Sequence, residues 1–358
     1  PPQKKRFHGD RKVMFCKSLL KTFVENADTT NDPVLIHTLF DVATTLHDSL
    51  DNLSADDERR QVADLICRFM SKIDFGRDVQ QHLNTLVEFR AAFSNLDSVK
   101  DRLILEVLKL AMKTLRIVRG RHNKKTTAFV KGCFAFVHIT VPSIDDVFTR
   151  LLLFKLAGEV ALSNQCLPQA DTFFKACIQE IPDIPEFEGT AHTPTEGRLA
   201  DFLRGFLSSI ILVPGHPQQG PFYLVKGLQN AMGRYPWSAG SLHRGRVLVA
   251  LLPVLAAFAQ VSLPYHVDRV DSNDVLYAGD PDYTSELVAL MNEVMNDILL
   301  HLADFTKDGS MSAAATQTTL VVELLSQIVA IMQLNDKTTS LTLKLFQLAR
   351  KHGEPKFG

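Results

Sequence analysis

Paired cysteines are missing from this chain. Cys16, Cys67, Cys133, Cys166 and Cys177 are an odd, widely spaced set with no Cys-x-x-Cys pair. That excludes a disulfide framework and a zinc site of the usual ligand spacing. The thiols read as reduced, cytosolic and mostly buried. An excess of either charge is missing too: 39 Lys and Arg face 40 Asp and Glu, for a net charge of −1. A dedicated nucleic-acid binder needs a basic surplus, and so does a polybasic membrane anchor. Glycine and proline, 18 and 16 of 358 residues, are too few for low complexity. No signal peptide is evident. The longest apolar run, Val247 to Ala259, is broken by Pro253 and falls short of the roughly 18 to 20 residues of a membrane span. The first residue is Pro1, which fits an excerpt of a longer chain.

Catalytic signatures are absent as well. The sequence holds no GxxxxGK[ST], GxGxxG, GxSxG or HExxH, the motifs that position phosphates, nucleophiles or metals. The acidic pairs Asp56-Asp57 and Asp145-Asp146 lack a third carboxylate one turn on, so they suit helix starts better than magnesium. Twelve histidines are scattered without a ligand-spaced partner. No enzyme, metal or cofactor is expected.

What the chain does have is helical periodicity. Val62, Leu65, Ile66, Phe69 and Ile73 form one apolar stripe. Leu35, Leu39, Ala43, Leu46 and Leu50 form another, and Leu287, Leu290, Met291, Val294, Ile298 and Leu302 a third. Each stripe leaves the charges on the opposite face. No alternating β-branched run appears, so no strands are expected. Helix starts are assigned to Asp32-Pro33, Ser54-x-x-Asp57, Ser98-x-x-Asp101, Ser143-x-x-Asp146 and Thr193-Pro194, where a cap precedes a proline or a carboxylate. Gly120 follows Arg116 and Arg119 as a C-terminal stop.

Fourteen helices are predicted, beginning near residues 11, 33, 54, 75, 98, 123, 143, 167, 196, 220, 241, 284, 311 and 338. Taken in pairs, they give first steps of 42, 48 and 44 residues, around the 40 to 47 of helical-hairpin repeats. The predicted fold is an all-α, HEAT-like helical-hairpin solenoid (an α-α superhelix). Residues 1–32 are a lead-in segment with a first helix. Residues 33–353 are one solenoid of about six hairpins, with loops near 182–195 and 262–283, and 354–358 are a tail.

Three segments stand out. Phe154, Gly158, Ala170, Phe174 and Pro182 match tetratricopeptide spacings. The pattern does not recur 34 residues on, which leaves either one tight αα-hairpin or an isolated tetratricopeptide-like unit. Lys109, Lys113, Arg116, Arg119 and Arg121 form a basic stripe. It serves either as cations at a helix C-terminus or as a patch for an acidic partner or phosphoinositide headgroup. The loop around His266 to Asp280 is the most unusual segment. Its acids begin like a calcium loop at Asp271-x-Asn273, but Val275 and Leu276 stand where a ligand and a glycine are needed. It is either a solvated acidic turn or an ordered loop with Tyr265, His266 and Tyr277 as anchors.

Three stretches resemble a known family: Lys125 to Pro142, Ala161 to Ala176, and Tyr265 to Asp280. Asn164-Gln-Cys-Leu-Pro-Gln-Ala-Asp171 and Val270-Asp-Ser-Asn-Asp274 are the most specific pieces; Leu212 to Pro217 and Leu348 to Gly353 fit too. They are similar to the C-terminal half of the large subunit of retriever, the vacuolar protein sorting 35-like family. The resemblance covers about residues 75 to 353. It implies a non-catalytic α-solenoid scaffold in a retromer-like complex that recycles cargo from endosomes. It implies that this half cradles a small subunit of phosphoesterase-like fold. The rest of the chain would carry an arrestin-fold subunit and engage an assembly of COMMD and coiled-coil-domain proteins. Location would be cytoplasmic and peripheral on endosomes, with membrane association through the complex and no nucleic acid. Within that frame His266, Asp268, Asp271, Asn273, Asp274 and Tyr277 are expected to form the partner surface or to brace the helices that do. A karyopherin-like or tetratricopeptide-like transport or adaptor scaffold is the alternative.

Overall fold

In the computed structural model, residues 2–50, 54–189, 191–308, 310–332 and 335–353 are described. The expected tail, 354–358, lies outside them. The chain divides into two compact units, Pro1–Phe173 and Phe174–Gly358. Both are built from stacked antiparallel helices, so the all-α helical-hairpin solenoid class holds.

The first unit contains α1 (Pro2–Asn26), α2 (Pro33–Asp48), α3 (Asp56–Met70), α4 (Val79–Ala92), α5 (Asp97–Ile117), α6 (Lys124–Thr140) and α7 (Val147–Ser163). It also holds the start of α8 (Leu167–Glu180). The apolar stripes of α1 to α4 meet in a phenylalanine cluster. Phe89 lies 5.1 Å from Phe40 and 5.5 Å from Phe69 between ring centroids, and Phe69 lies 6.0 Å from Phe23. Deleting one such buried ring costs about 3 to 5 kcal/mol. The long helix α5 packs on α3, α4, α6 and α7.

The second unit continues through α9 (Glu196–Ile210), α10 (Tyr223–Arg234), α11 (Leu242–Phe258), α12 (Asn273–Leu276), α13 (Pro281–Asp308), α14 (Met311–Ile331) and α15 (Asp336–Gly353). At its centre α11 packs on α9, α13 and α14. From Val247 onward this helix is apolar all round, and Val247, Leu251, Leu252 and Leu255 are fully buried in it. Gly245 permits the approach of α14: a Cβ there would meet Leu320 at 2.5 and 3.0 Å and His301 at 3.2 Å.

Several local expectations need correction. The helices from α2 onward, α12 excepted, start close to the predicted positions; α1 begins at Pro2 rather than near residue 11, α12 was not predicted, and the caps differ. The cap of α5 is Leu96, without a side-chain bond, so Ser98 lies inside the first turn. Asp146, not Ser143, caps α7 by accepting the Thr149 N–H at 2.8 Å. Thr193-Pro194 starts no helix. It pairs antiparallel with Phe187–Glu188, a two-residue strand ladder inside the 182–195 loop, where no strand was expected. Thr195 stands before α9 instead and donates its hydroxyl to the Pro185 carbonyl at 2.6 Å. Asp32 does cap α2, accepting the Val34 N–H at 2.9 Å ahead of Pro33. Gly120 closes α5 in a left-handed turn (φ 73°), donating to the Leu115 carbonyl at 2.9 Å.

Among the described residues one helix, α14, is long and apolar enough to cross a membrane; the sequence reading had singled out only the run in α11. It packs on α11, α13 and α15 with Leu320, Val321, Leu324 and Ile328 buried. Arg246 of α11 holds its Glu323 through two nitrogens at 2.8 and 3.0 Å.

Candidate partner-binding surface

The 262–283 loop departs from α11 and returns into α13. It is ordered by its own acidic and amide side chains, which lie in two groups. Asn273 is buried, and its Oδ1 accepts the N–H of Gly215, 58 positions earlier, at 2.7 Å. Asp274 accepts the Leu263 N–H at 2.9 Å on Oδ2 and the Ser272 hydroxyl on Oδ1. His266 Nδ1 lies 3.1 Å from the same hydroxyl. Burial pushes the Asp274 carboxyl up, but the Ser272 and Leu263 donors outweigh it and hold the group below its usual range. Tyr277 stacks on Tyr283, 5.1 Å between centroids and 11° between planes. Tyr283 in turn donates its hydroxyl to the Phe258 carbonyl at 3.0 Å and packs 4.9 Å from Phe222. Asn273, Asp274 and Tyr277 therefore turn inward and hold the loop to the body of the unit.

His266, Asp268 and Asp271 are exposed on the loop's outer side. The expected anchor Tyr265 is not one, being 75% exposed; its ring projects into solvent. Gly215, Ser272 and Tyr283 complete the frame, and the sequence reading did not single them out. The Leu212 to Pro217 stretch was a landmark of the resemblance, and its glycine was the available signal.

The basic stripe is divided as well. Lys109 Nζ reaches Glu106 at 2.9 Å and Lys113 Nζ reaches Asp74 at 2.7 Å. The Lys113 bond lowers the Asp74 carboxyl below its usual range. Arg116, Arg119 and Arg121 are exposed around the left-handed turn that ends α5. Nearby, Asn164 lies buried in the turn between α7 and α8. It donates to the Val160 carbonyl at 2.8 Å, and its Oδ1 lies 3.1 Å from His122 Nε2. Gln165 adopts φ 58° and Cys166 donates to Ala161 at 2.9 Å. The Asn164-Gln-Cys-Leu-Pro motif is thus a helix-ending turn with local bonds of its own. Gly158 is buried in α7, as the hairpin spacing predicted.

All five cysteines are free thiols; burial raises Cys67 to about 11 and Cys133 to about 12. Among the described residues no three His, Cys, Asp or Glu side chains converge as metal ligands.

A helical-hairpin array carrying a braced acidic loop defines the class, an all-α helical-repeat protein. The comparisons with known proteins place the chain within it. The VPS35L C-terminal domain family matches residues 7–357, and the chain belongs to that family. It is 41% identical over 347 residues to the "VPS35 endosomal protein-sorting factor-like" protein of Danio rerio, and 40% identical over 347 residues to that of Homo sapiens. To the Dictyostelium discoideum relative it is 39% identical over 349 residues. Each match covers 96% of this chain and 35 to 36% of the relative. The chain therefore spans about a third of the length of these relatives.

Proposed function

We propose that this chain is the scaffold portion of an endosomal protein-sorting complex of the retriever type, cradling a small subunit of phosphoesterase-like fold. The family match over nearly the whole chain carries this reading. The loop fits it: Asn273, Asp274 and Tyr277 make a rigid support, and His266, Asp268 and Asp271 present polar contacts at its outer edge. Polar groups on a pre-ordered loop bind without much loss of conformational freedom. The work is binding rather than catalysis, which agrees with the missing catalytic motifs. The rest of such a protein would carry an arrestin-fold subunit and meet the COMMD and coiled-coil-domain assembly. The chain would reach endosomes from the cytoplasm, through the complex.

Co-expression with the small subunit followed by size-exclusion chromatography tests this. The wild-type chain should co-elute with the subunit, and Asp268→Lys/Asp271→Lys should remain folded and elute alone. Separate elution of the wild-type proteins would overturn the reading. Arg116, Arg119 and Arg121 support a second contact, with an acidic partner or a phosphoinositide headgroup, because all three are exposed on one turn. Retention on heparin at physiological salt would instead favour a karyopherin-like or nucleic-acid-binding array.

A further inference from the structure

Between the loop and α13 lies a cleft of about 260 Å³. Phe258, Tyr283, Leu287 and Met291 contribute to its walls. Val261 and Val288, also lining it, are 96% and 54% exposed. Asn273 belongs to the same wall and is 1% exposed. Its Oδ1 is taken by Gly215, which fixes the amide's orientation, and its Nδ2 has no acceptor. A buried N–H without a partner is costly and rare in folded proteins.

The surrounding stretch carries a large excess of negative charge. Residues 261 to 306 include nine carboxylates, a single arginine, Arg269, and no lysine. Lys226 neutralises Glu286 from outside this stretch. Asp282 and Glu293 of α13 are exposed. Such a field draws cations and repels anionic surfaces, including lipid headgroups and this same face of a second copy.

We infer that the cleft takes an extended segment of a partner protein bearing an aliphatic or aromatic anchor residue flanked by lysine or arginine. The anchor occupies the apolar volume, which is sized for one or two side chains rather than a whole cofactor. A backbone carbonyl of the segment is the acceptor that the Asn273 amide lacks. The flanking cations answer the acidic excess of the loop and α13. The inference stands apart from the small-subunit reading, which concerns the outer edge of the loop.

Fluorescence anisotropy on the full chain tests it. The probe is a labelled ten-residue peptide with a central Leu-Phe pair between two Lys-Arg pairs. It should bind, and replacing Leu-Phe by Ser-Ser or the basic pairs by Glu-Asp should each weaken binding at least tenfold. Ala278→Trp, which fills the cleft from an exposed position, should also weaken it at least tenfold. Val288→Arg, which places a cation at the mouth, should give the same loss. Both variants should keep the wild-type melting temperature and the small subunit. Equal binding of the Ser-Ser peptide would reduce the effect to bulk charge and overturn the proposal. So would unchanged affinity in both variants, no binding of the basic apolar peptide, or wild-type self-association abolished by Ala278→Trp.

Discussion

Gly215 donates its backbone N–H to Asn273 Oδ1 at 2.7 Å, and this bond ties two loops that are 58 positions apart. Space is as tight as the bond. A Cβ on Gly215 would meet the Pro221 Cα and the Tyr277 Cε2 at 2.9 Å, and would clash with the Tyr277 hydroxyl. Gly215→Ala should therefore push Tyr277 off Tyr283 and lower stability by about 1 to 3 kcal/mol, the usual range for overpacking. Urea denaturation and the tyrosine near-ultraviolet signal check this. An unchanged midpoint would mean that the loop moves aside freely.

The loop's carboxylates should separate by function. Asp274→Ala removes the acceptor for Leu263 and Ser272 and should cost about 1 kcal/mol near neutral pH. The folded group titrates below its usual range. Its contribution is thus present above about pH 4 and lost as pH falls through the folded value, so the difference between variant and wild type should shrink toward pH 3. Asp268→Lys and Asp271→Lys change exposed groups and should stay within about 0.5 kcal/mol of wild type. Equal destabilisation by all three would contradict the division into inner and outer residues.

Asp101, near the start of α5, offers a test with the opposite sign. Burial raises its carboxyl to about 6; Asp97 and Asp146 add to that, and Lys100 opposes it. Its Oδ1 is buried without a hydrogen-bond partner. The folded state therefore holds this proton more tightly than the unfolded chain. Stability linked to Asp101 is complete below about pH 4 and is lost as pH rises through about 6. Asp101→Asn removes the charge and should raise stability by on the order of 1 kcal/mol at pH 7.5, with little effect at pH 4. Thermal melts at both pH values check this; an equal shift at both would show that the charge is irrelevant.

Helix positions were legible in the sequence because the signal is local and repeated. The stripe of α3, from Val62 to Phe69, needs only its own residues to be seen, and all of α2 to α15 except α12 begin close to the predicted sites. Caps were less legible. Ser98-x-x-Asp101 and Thr193-Pro194 have the right local chemistry, but the helix register at Leu96 and the strand pair at Phe187–Glu188 decide otherwise. The acidic loop could be singled out by composition, whereas the direction of each side chain could not. Asn273 turns inward because the Gly215 N–H is there, and Asp274 because the Leu263 N–H is there. Neither neighbour is visible from spacing within the loop. The orphaned Asn273 amide is likewise a property of packing, with no sequence signature.

The contact between α11 and α14 allows a prediction about the most apolar long helix. Gly245 faces Leu320 and His301, and a methyl group there would approach both. His301 donates through Nε2 to the Ser241 carbonyl at 2.9 Å, in the turn that starts α11. Burial holds the ring below its usual titration range, with the Ser241 bond opposing and Arg244 adding to the shift. Gly245→Ala should overpack this contact and cost about 1 to 3 kcal/mol, although alanine favours helix more than glycine does. Leu320→Val, which shortens the facing side chain, should recover part of that loss in the double variant, and the recovered amount measures the coupling. Urea melts of the two single variants and the double variant complete the cycle. Additive losses would mean that α14 does not bear on Gly245. A loss confined to Leu320→Val would mean that the backbone at Gly245 accommodates a side chain.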